Sequence, residues 1–228
     1  MKVTFSNLSA ALAVALMLSQ TASAQLRITE VMPRSSTGTA STLNGDWWEL
    51  TNIGSQSINL QGYQWANTVD ALPSNTSTFF PNFVLNAGQS LIILEGDADD
   101  HAAWRSMWGI SPSVAILGED EMVDNNPPDG FAFSGLANGD TVFFYDPAGV
   151  LQDSYSYSSS AFVRGTTFEV DGAGIDLGLS VIGENGAIQA ANGDIGSPGM
   201  AIVPEPTSLT LLALAGGLVL CPRRAKIS

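Results

Sequence analysis

The chain has 228 residues, with 8 Lys and Arg against 22 Asp and Glu and a formal charge of −14. A balance this acidic excludes nucleic-acid binding through a basic surface. Hydrophobic residues make up 45% and charged ones 13%, so the chain can fill a core, and its length suits one β-domain with terminal extras rather than a large multidomain enzyme.

In chain order, residues 1–24 read as a secretory signal. Lys2 supplies the positive start, residues 8–18 the apolar stretch, and Ala22-Ser23-Ala24 the small-residue cleavage site. Signal peptidase is therefore expected to cut between Ala24 and Gln25. A stretch of about 11 apolar residues is too short to span a bilayer. Short β-type runs follow, separated by Gly, Pro and Asn turn signals. They cover 26–32, 46–52, 57–65 with Gly62 as a bulge, 78–85, and 90–94 after the turn Asn86-Ala87-Gly88. Residues 141–145 and 150–157 flank Asp146-Pro147-Ala148-Gly149 as a hairpin. One helix is expected over 99–108, with Ala102, Ala103, Trp104, Met107 and Trp108 as its apolar face. Residues 171–200, rich in Gly, Asn and Asp, read as loop with one or two weak strands. Strands and Gly-rich turns at this spacing predict an all-β sandwich.

Residues 25–202 carry four arginines and no lysine against 21 acidic residues, a formal charge of −17. Such a surface keeps a protein soluble and attracts cations. The single cysteine, Cys221, lies near the C-terminus, so the domain forms no internal disulfide and must be held by packing. Of the chain's five Trp and ten Phe, all but Phe5 are available for that, and each buried aromatic removes roughly 150–250 Å² from water.

Few residues offer chemistry. With one histidine, His101, and Cys221 outside the domain, neither a Cys nucleophile nor a His/Cys zinc set can be assembled, and any triad would depend on that one imidazole. His101 reads as a surface or capping residue. No Gly-x-Ser-x-Gly or phosphate-cradling Gly-x-x-x-x-Gly-Lys stretch occurs. Two acidic stretches, 95–100 and 119–130, contain oxygen ligands of the type Ca²⁺ takes, but neither follows the EF-hand order, so no metal ligand and no cofactor is assigned. On the strand 46–52, Trp48 and Leu50 point to one face and Trp47, Glu49 and Thr51 to the other. Glu30 and Glu49 read as structural carboxylates. The rival reading makes them an acid/base pair of a small secreted hydrolase. A second rival is a carbohydrate-binding or Ca²⁺-dependent adhesion module that stacks sugars on Trp47 or Trp65.

At the C-terminus, Val203-Pro204-Glu205-Pro206-Thr207-Ser208 precedes an apolar run, 209–221, and then Pro222-Arg223-Arg224-Ala225-Lys226. Polar signal, short apolar stretch and basic tip form a stop-transfer arrangement that leaves the tip in the cytoplasm and the domain outside. The run lies at the short end of the roughly 17–25 residues a bilayer needs. Pro204-Glu205-Pro206, the apolar run and Arg223-Arg224 together resemble the PEP-CTERM sorting signal of Gram-negative bacteria. That resemblance implies processing by an exosortase, transient anchoring in the inner membrane, and a place at the cell surface or in extracellular polysaccharide or biofilm. Ala225 breaks the basic cluster, a departure from that pattern.

The domain itself, residues 25–202, is similar to the lamin tail domain, an immunoglobulin-like β-sandwich. The carrying residues are Arg27-Ile28-Thr29-Glu30-Val31-Met32 with its central Glu, then Trp48-Glu49-Leu50-Thr51-Asn52, then Leu60-Gln61-Gly62-Tyr63. The hairpin from Asn138-Gly139-Asp140 to Asp153-Ser154 and the turn Gly196-Ser197-Pro198-Gly199 continue the likeness, with an insertion at about 97–131. Glu30, Trp48, Glu49, Asn52 and Gly62 are the family-motif residues. The resemblance implies a non-enzymatic protein with a structural or adhesive role, and residues 203–228 as its sorting and anchor segment.

Overall fold

The computed structural model describes residues 25–35, 43, 45–67, 78–124 and 135–203. The expected export signal up to Ala24, the second acidic stretch beyond Asp124, and Pro204, Glu205, Pro206, Cys221, Arg223 and Arg224 lie outside the described residues. Among the described residues, fifteen strands and one α-helix form in the order β1 Leu26–Met32, β2 Trp47–Asn52, β3 Ile58–Asn59, β4 Gln64–Ala66, β5 Thr78–Phe79, β6 Val84–Leu85, β7 Ser90–Leu94, α1 His101–Trp108, β8 Ala115–Gly118, β9 Val123–Asp124, β10 Asp140–Tyr145, β11 Leu151–Tyr157, β12 Phe168–Val170, β13 Asp176–Leu179, β14 Ile188–Gln189 and β15 Ile195–Gly196. One sheet runs β13-β12-β1-β2-β7-β8 and the other β11-β10-β4-β5-β9, with β3–β6 and β14–β15 as small separate pairs.

The two large sheets share one core. Ile28, Val31, Trp48, Leu50, Ile93 and Phe168 from the first meet Trp65, Val142, Phe144, Tyr155 and Tyr157 from the second. Alternation produces this on β2, where Trp48 and Leu50 enter the core and Trp47 faces the opposite side, as the period of two requires. On β1 strict alternation fails. Ile28 pairs with Leu50 and Glu30 with Glu49, so Thr29 is the extra residue of a bulge. The bulge puts Thr29 and Glu30 on the same face and returns Val31 to the core.

A second apolar cluster covers part of the first sheet's outer face, where Trp104 and Trp108 of α1 pack on Met32, Trp47, Ile92, Leu94 and Ile116. Trp47 meets Trp104 and Trp108 edge-on at 5.6 and 5.7 Å, a favoured aromatic arrangement. The buried stripe of α1 is narrower than its composition suggests. Trp104 and Trp108, four apart, are buried, Met107 is half-buried, and Ala102 and Ala103 are exposed. Gly109 ends the helix in the left-handed region, φ 65°.

Four sequence expectations need correction. Residues 57–65 are two strands, because Gly62 (φ 81°) is the third residue of a turn closed by Tyr63 N–H donating to Leu60 C=O (2.9 Å). A positive φ there is what a type II turn demands, and a bulge would have kept the strand whole. Residues 78–85 also divide, into β5 and β6, around Pro81, which has no N–H to give a ladder. The insertion is not only loop and helix: α1 is the crossover that returns the chain as β8, parallel to β7. Finally, the Gly-rich segment holds more structure than one or two weak strands. β13, β14 and β15 form within it, and β12 just before it sits inside the first sheet between β13 and β1.

Gly45, next to β2, is a close-approach glycine. A Cβ there would lie 1.9 Å from the Glu95 carbonyl oxygen, and Glu95 N–H already donates to Asp46 C=O (2.9 Å). Gly45→Ala is expected to cost about 1–3 kcal/mol, the usual toll of overpacking, read as a lowered midpoint in urea unfolding. An unchanged midpoint would mean that this backbone contact is not made.

Candidate functional site

The site with the most chemistry is a row of three glutamates on the outer face of the first sheet, beside the patch that α1 covers. In the β12–β1–β2 register, Glu169 lies across from Glu30 and Glu30 across from Glu49. All three are buried, Glu30 and Glu49 at 1% exposure and Glu169 at 5%. The chain after β13 crosses this face and seals it. Ser197 N–H donates to Glu30 Oε1 (2.6 Å) and Gly199 N–H to Glu49 Oε2 (2.5 Å). Asn185 Nδ2 donates to Glu169 Oε2 (3.0 Å).

Hydroxyls complete the layer. Thr29 donates to Glu49 Oε1 (2.6 Å), Thr167 to Glu30 Oε1 (2.6 Å) and Ser180 to Glu169 Oε1 (2.6 Å). Thr51 bridges Thr29 and Ser90 at 2.8 and 2.7 Å. Distances of this size mark charge-assisted O–H···O bonds. Among the described residues no arginine, lysine or histidine forms an ion pair with any of the three. Glu30 Oε2 is buried without a hydrogen-bond partner.

Burial, the nearby Glu49 charge and more weakly Glu169 push the Glu30 carboxyl well above the usual carboxylate range, against the lowering effect of Thr167 and the Ser197 N–H. Burial also raises Glu49, opposed by its hydrogen bonds from Thr29 and Gly199. Carboxyls packed together without a cation cannot all ionise cheaply, so Glu30 and Glu49 hold their protons to higher pH than a free carboxyl does. Sealing and hydrogen bonding leave Glu30 and Glu49 no open face for a substrate. The acid/base rival loses its geometry here.

Other candidate residues fall elsewhere. Asn52 is structural: its Nδ2 donates to Gln56 and Leu85 carbonyls (2.7 and 3.2 Å), and its Oδ1 accepts from Gly54 N–H (3.1 Å). Trp47 and Trp65 are 1% and 0% exposed, so neither can stack on a sugar. That removes the platform on which the carbohydrate reading stood. His101 caps the short turn Ala98–Asp100, its backbone N–H donating to Ala98 C=O, and stands half-buried at the start of α1, 3.3 Å from Glu121, where burial lowers its pKa. The acidic stretches serve the backbone: Asp120 Oδ1 accepts from Ala98 N–H (2.8 Å), Glu121 from Gly118 N–H (2.8 Å) and Glu95 from Asp46 N–H (3.0 Å). Among the described residues no three His, Cys, Asp or Glu side chains converge as a metal site.

Sequence reasoning missed two features. Glu169 is the first, although Phe168-Glu169-Val170 repeats the apolar-Glu-apolar alternation of Trp48-Glu49-Leu50. The second is Asp46, in an open cavity of about 330 Å³ with Arg34, Asn67, Glu95 and Asp140 on its walls. Its Oδ2 accepts from Leu136 N–H (2.8 Å). Burial and the Glu95 charge push its carboxyl up to about 7.

Among the described residues the fold is a β-sandwich with one short α-helix, and its row of three glutamates is buried under the chain that follows β13. The chain belongs to the Lamin Tail Domain family, whose model matches residues 19–159. β12 to β15 and the turn over the glutamates lie beyond the matched residues. In fold it is similar to the solved structure of a DUF4876 family protein from Bacteroides thetaiotaomicron, 11% identical, at a TM-score of 0.44 over 80% of this chain and 72% of that one. No curated protein matches the chain. Among the described residues no helix is long and apolar enough to cross a membrane.

Proposed function

We propose that this protein is an exported, non-catalytic β-sandwich that serves a structural or adhesive role at the cell surface or in extracellular polysaccharide. The observation that carries the non-catalytic part is the glutamate layer. The best acid/base candidates, Glu30 and Glu49, are 1% exposed and accept hydrogen bonds from Thr29, Thr167, Ser197 and Gly199. Membership of the Lamin Tail Domain family points the same way. Export and sorting are supported by the order of signals in the sequence: residues 1–24 at one end, and Pro204-Glu205-Pro206, the apolar run and Arg223-Arg224 at the other. An acidic, lysine-free domain suits a partner that is neutral or cationic, such as an uncharged polysaccharide.

The test compares intact mass and cell fractionation of the wild type with a Pro204→Ala/Glu205→Ala/Pro206→Ala variant, both in a host that makes an exosortase. Wild type is expected to be shortened near Val203 and recovered outside the inner membrane, with the variant full-length and membrane-bound. If both stay uncut in the membrane, the tail is a plain anchor and the sorting reading falls.

A further inference from the structure

The exposed apolar side chains of the domain are not scattered. Of the eleven large ones that stand exposed among the described residues, six belong to two short stretches: Ile175, Leu177, Val181, Ile182, Met200 and Ile202. The stretches touch. Gly172 N–H donates to Ile202 C=O (2.8 Å), and Leu177, Met200 and Ile202 line one small cleft. Met200 packs so closely on the 181–186 loop that a Cβ on Gly186 would lie 3.0 Å from the Met200 Cβ. Leu177, Met200 and Ile202 form an apolar patch beside β13, the end strand of the first sheet, and Ile175, Val181 and Ile182 extend it as an exposed strip along the flanking chain.

The chain passes from this strip straight toward its apolar run. Val203 follows Ile202, and five residues, Pro204 to Ser208, separate it from residues 209–221. Fully extended, five residues reach at most roughly 18 Å, short against a domain whose diameter is on the order of 40 Å. With the run in a bilayer, the end of the domain that carries the strip is held next to lipid, at high effective concentration.

We propose that the β13 strip is a lipid-contacting face, which lies on the membrane surface while the tail is inserted. This rests on the reading of residues 209–221 as membrane-inserted. Lipid is favoured over the other occupants on two counts. A second copy would bring together two domains of charge −17, and the tail, once inserted, is no longer free to fold back. Asp171, Asp176 and Glu184 interrupt the two stretches, so the face suits zwitterionic headgroups and is repelled by anionic ones.

The test uses the chain from Gln25 to Ser228 with Cys221→Ser, carrying a polarity-sensitive fluorophore on Ile182→Cys or, as the control, on Val123→Cys. Val123 is 49% exposed on β9, the end strand of the other sheet. With phosphatidylcholine vesicles both proteins are expected to float. Emission should shift to the blue at 182 and not at 123, and the shift should shrink in vesicles rich in anionic lipid. Adding Ile175→Ser and Met200→Ser should reduce the shift at 182 while flotation persists. Flotation without a shift at 182 overturns the lipid face and leaves the anchor reading intact. Failure to float overturns the anchor reading, and the lipid face with it. A blue shift without vesicles also overturns the proposal: one lost on dilution assigns the strip to a second copy, and one independent of concentration assigns it to the chain's own tail.

Discussion

Trp48→Ala is expected to destabilise the domain by about 3–5 kcal/mol, the range for deleting a fully buried aromatic. Trp48 is 0% exposed and stands where the two sheets meet. Its ring centroid lies 5.5 Å from that of Trp65, 6.3 Å from Phe80 and 6.3 Å from Phe144. Trp65 and Phe144 come from the second sheet, so the substitution opens a void that neither sheet fills alone. Against a total stability of roughly 5–15 kcal/mol, a loss of this size leaves part of the population unfolded, visible as lost near-ultraviolet circular dichroism and a lower urea midpoint. Trp48→Phe should recover more than half of the loss. If Trp48→Ala costs less than about 1 kcal/mol, the sheets do not share the core described here.

The second large effect is a dependence of stability on pH that runs opposite to the common acid-denaturation pattern. Glu30 and Glu49 have carboxyls raised in the folded state by burial, and Asp46 is raised to about 7. A raised folded value means that the folded state binds the proton more tightly than the unfolded chain does. Each group's contribution is therefore complete below its unfolded value and is lost as pH climbs through its folded value. The window opens near 4.5 for the glutamates and runs from 3.8 to about 7 for Asp46. Each unit of difference is worth about 1.4 kcal/mol, so Asp46 alone should lower stability by a few kcal/mol between about pH 4 and about pH 7, and the two glutamates should add to the loss in the same direction above 4.5. Glu30→Gln mimics the protonated acid, since its carbonyl oxygen can still accept from Thr167 and Ser197. It should flatten the profile and match or exceed wild type on the alkaline side. Equal slopes in wild type and Glu30→Gln would place the retained proton elsewhere.

The strand sequence was readable where alternation is regular and turns carry their usual residues. β1, β2, β7 and the β10–β11 hairpin fall within a residue of the expected limits, because Trp48/Leu50 alternate cleanly and Asp146 with Gly149 closes the turn. Illegible features depended on partners distant in sequence. The bulge at Thr29 exists because Glu30 must face Glu169 and Glu49 while Val31 returns to the core. No local period encodes that. β12 to β15 are two to four residues long, and Gly and Asn dominate their surroundings. Such segments become strands only when the sheet edge beside them supplies the ladder. Likewise Glu30 and Glu49 were recognisable as candidates, but their role was not. The groups that decide it, Ser197 and Gly199, donate from 167 and 150 residues away.

The same separation governs when the molecule can close. β1 is the first strand made, yet one of its two edges is completed only by β12, and Thr167 reaches Glu30 across 137 residues. Until that late segment is present, the N-terminal strand keeps an open row of amide and carbonyl groups, and Glu30 faces water. Ribosomal synthesis delivers Thr167 137 residues after Glu30, so the sandwich forms by non-local closure rather than by stepwise addition, the slow regime for β-proteins. A chain with this wiring stays threadable until β12 and the segment that covers the glutamates arrive, and only then locks.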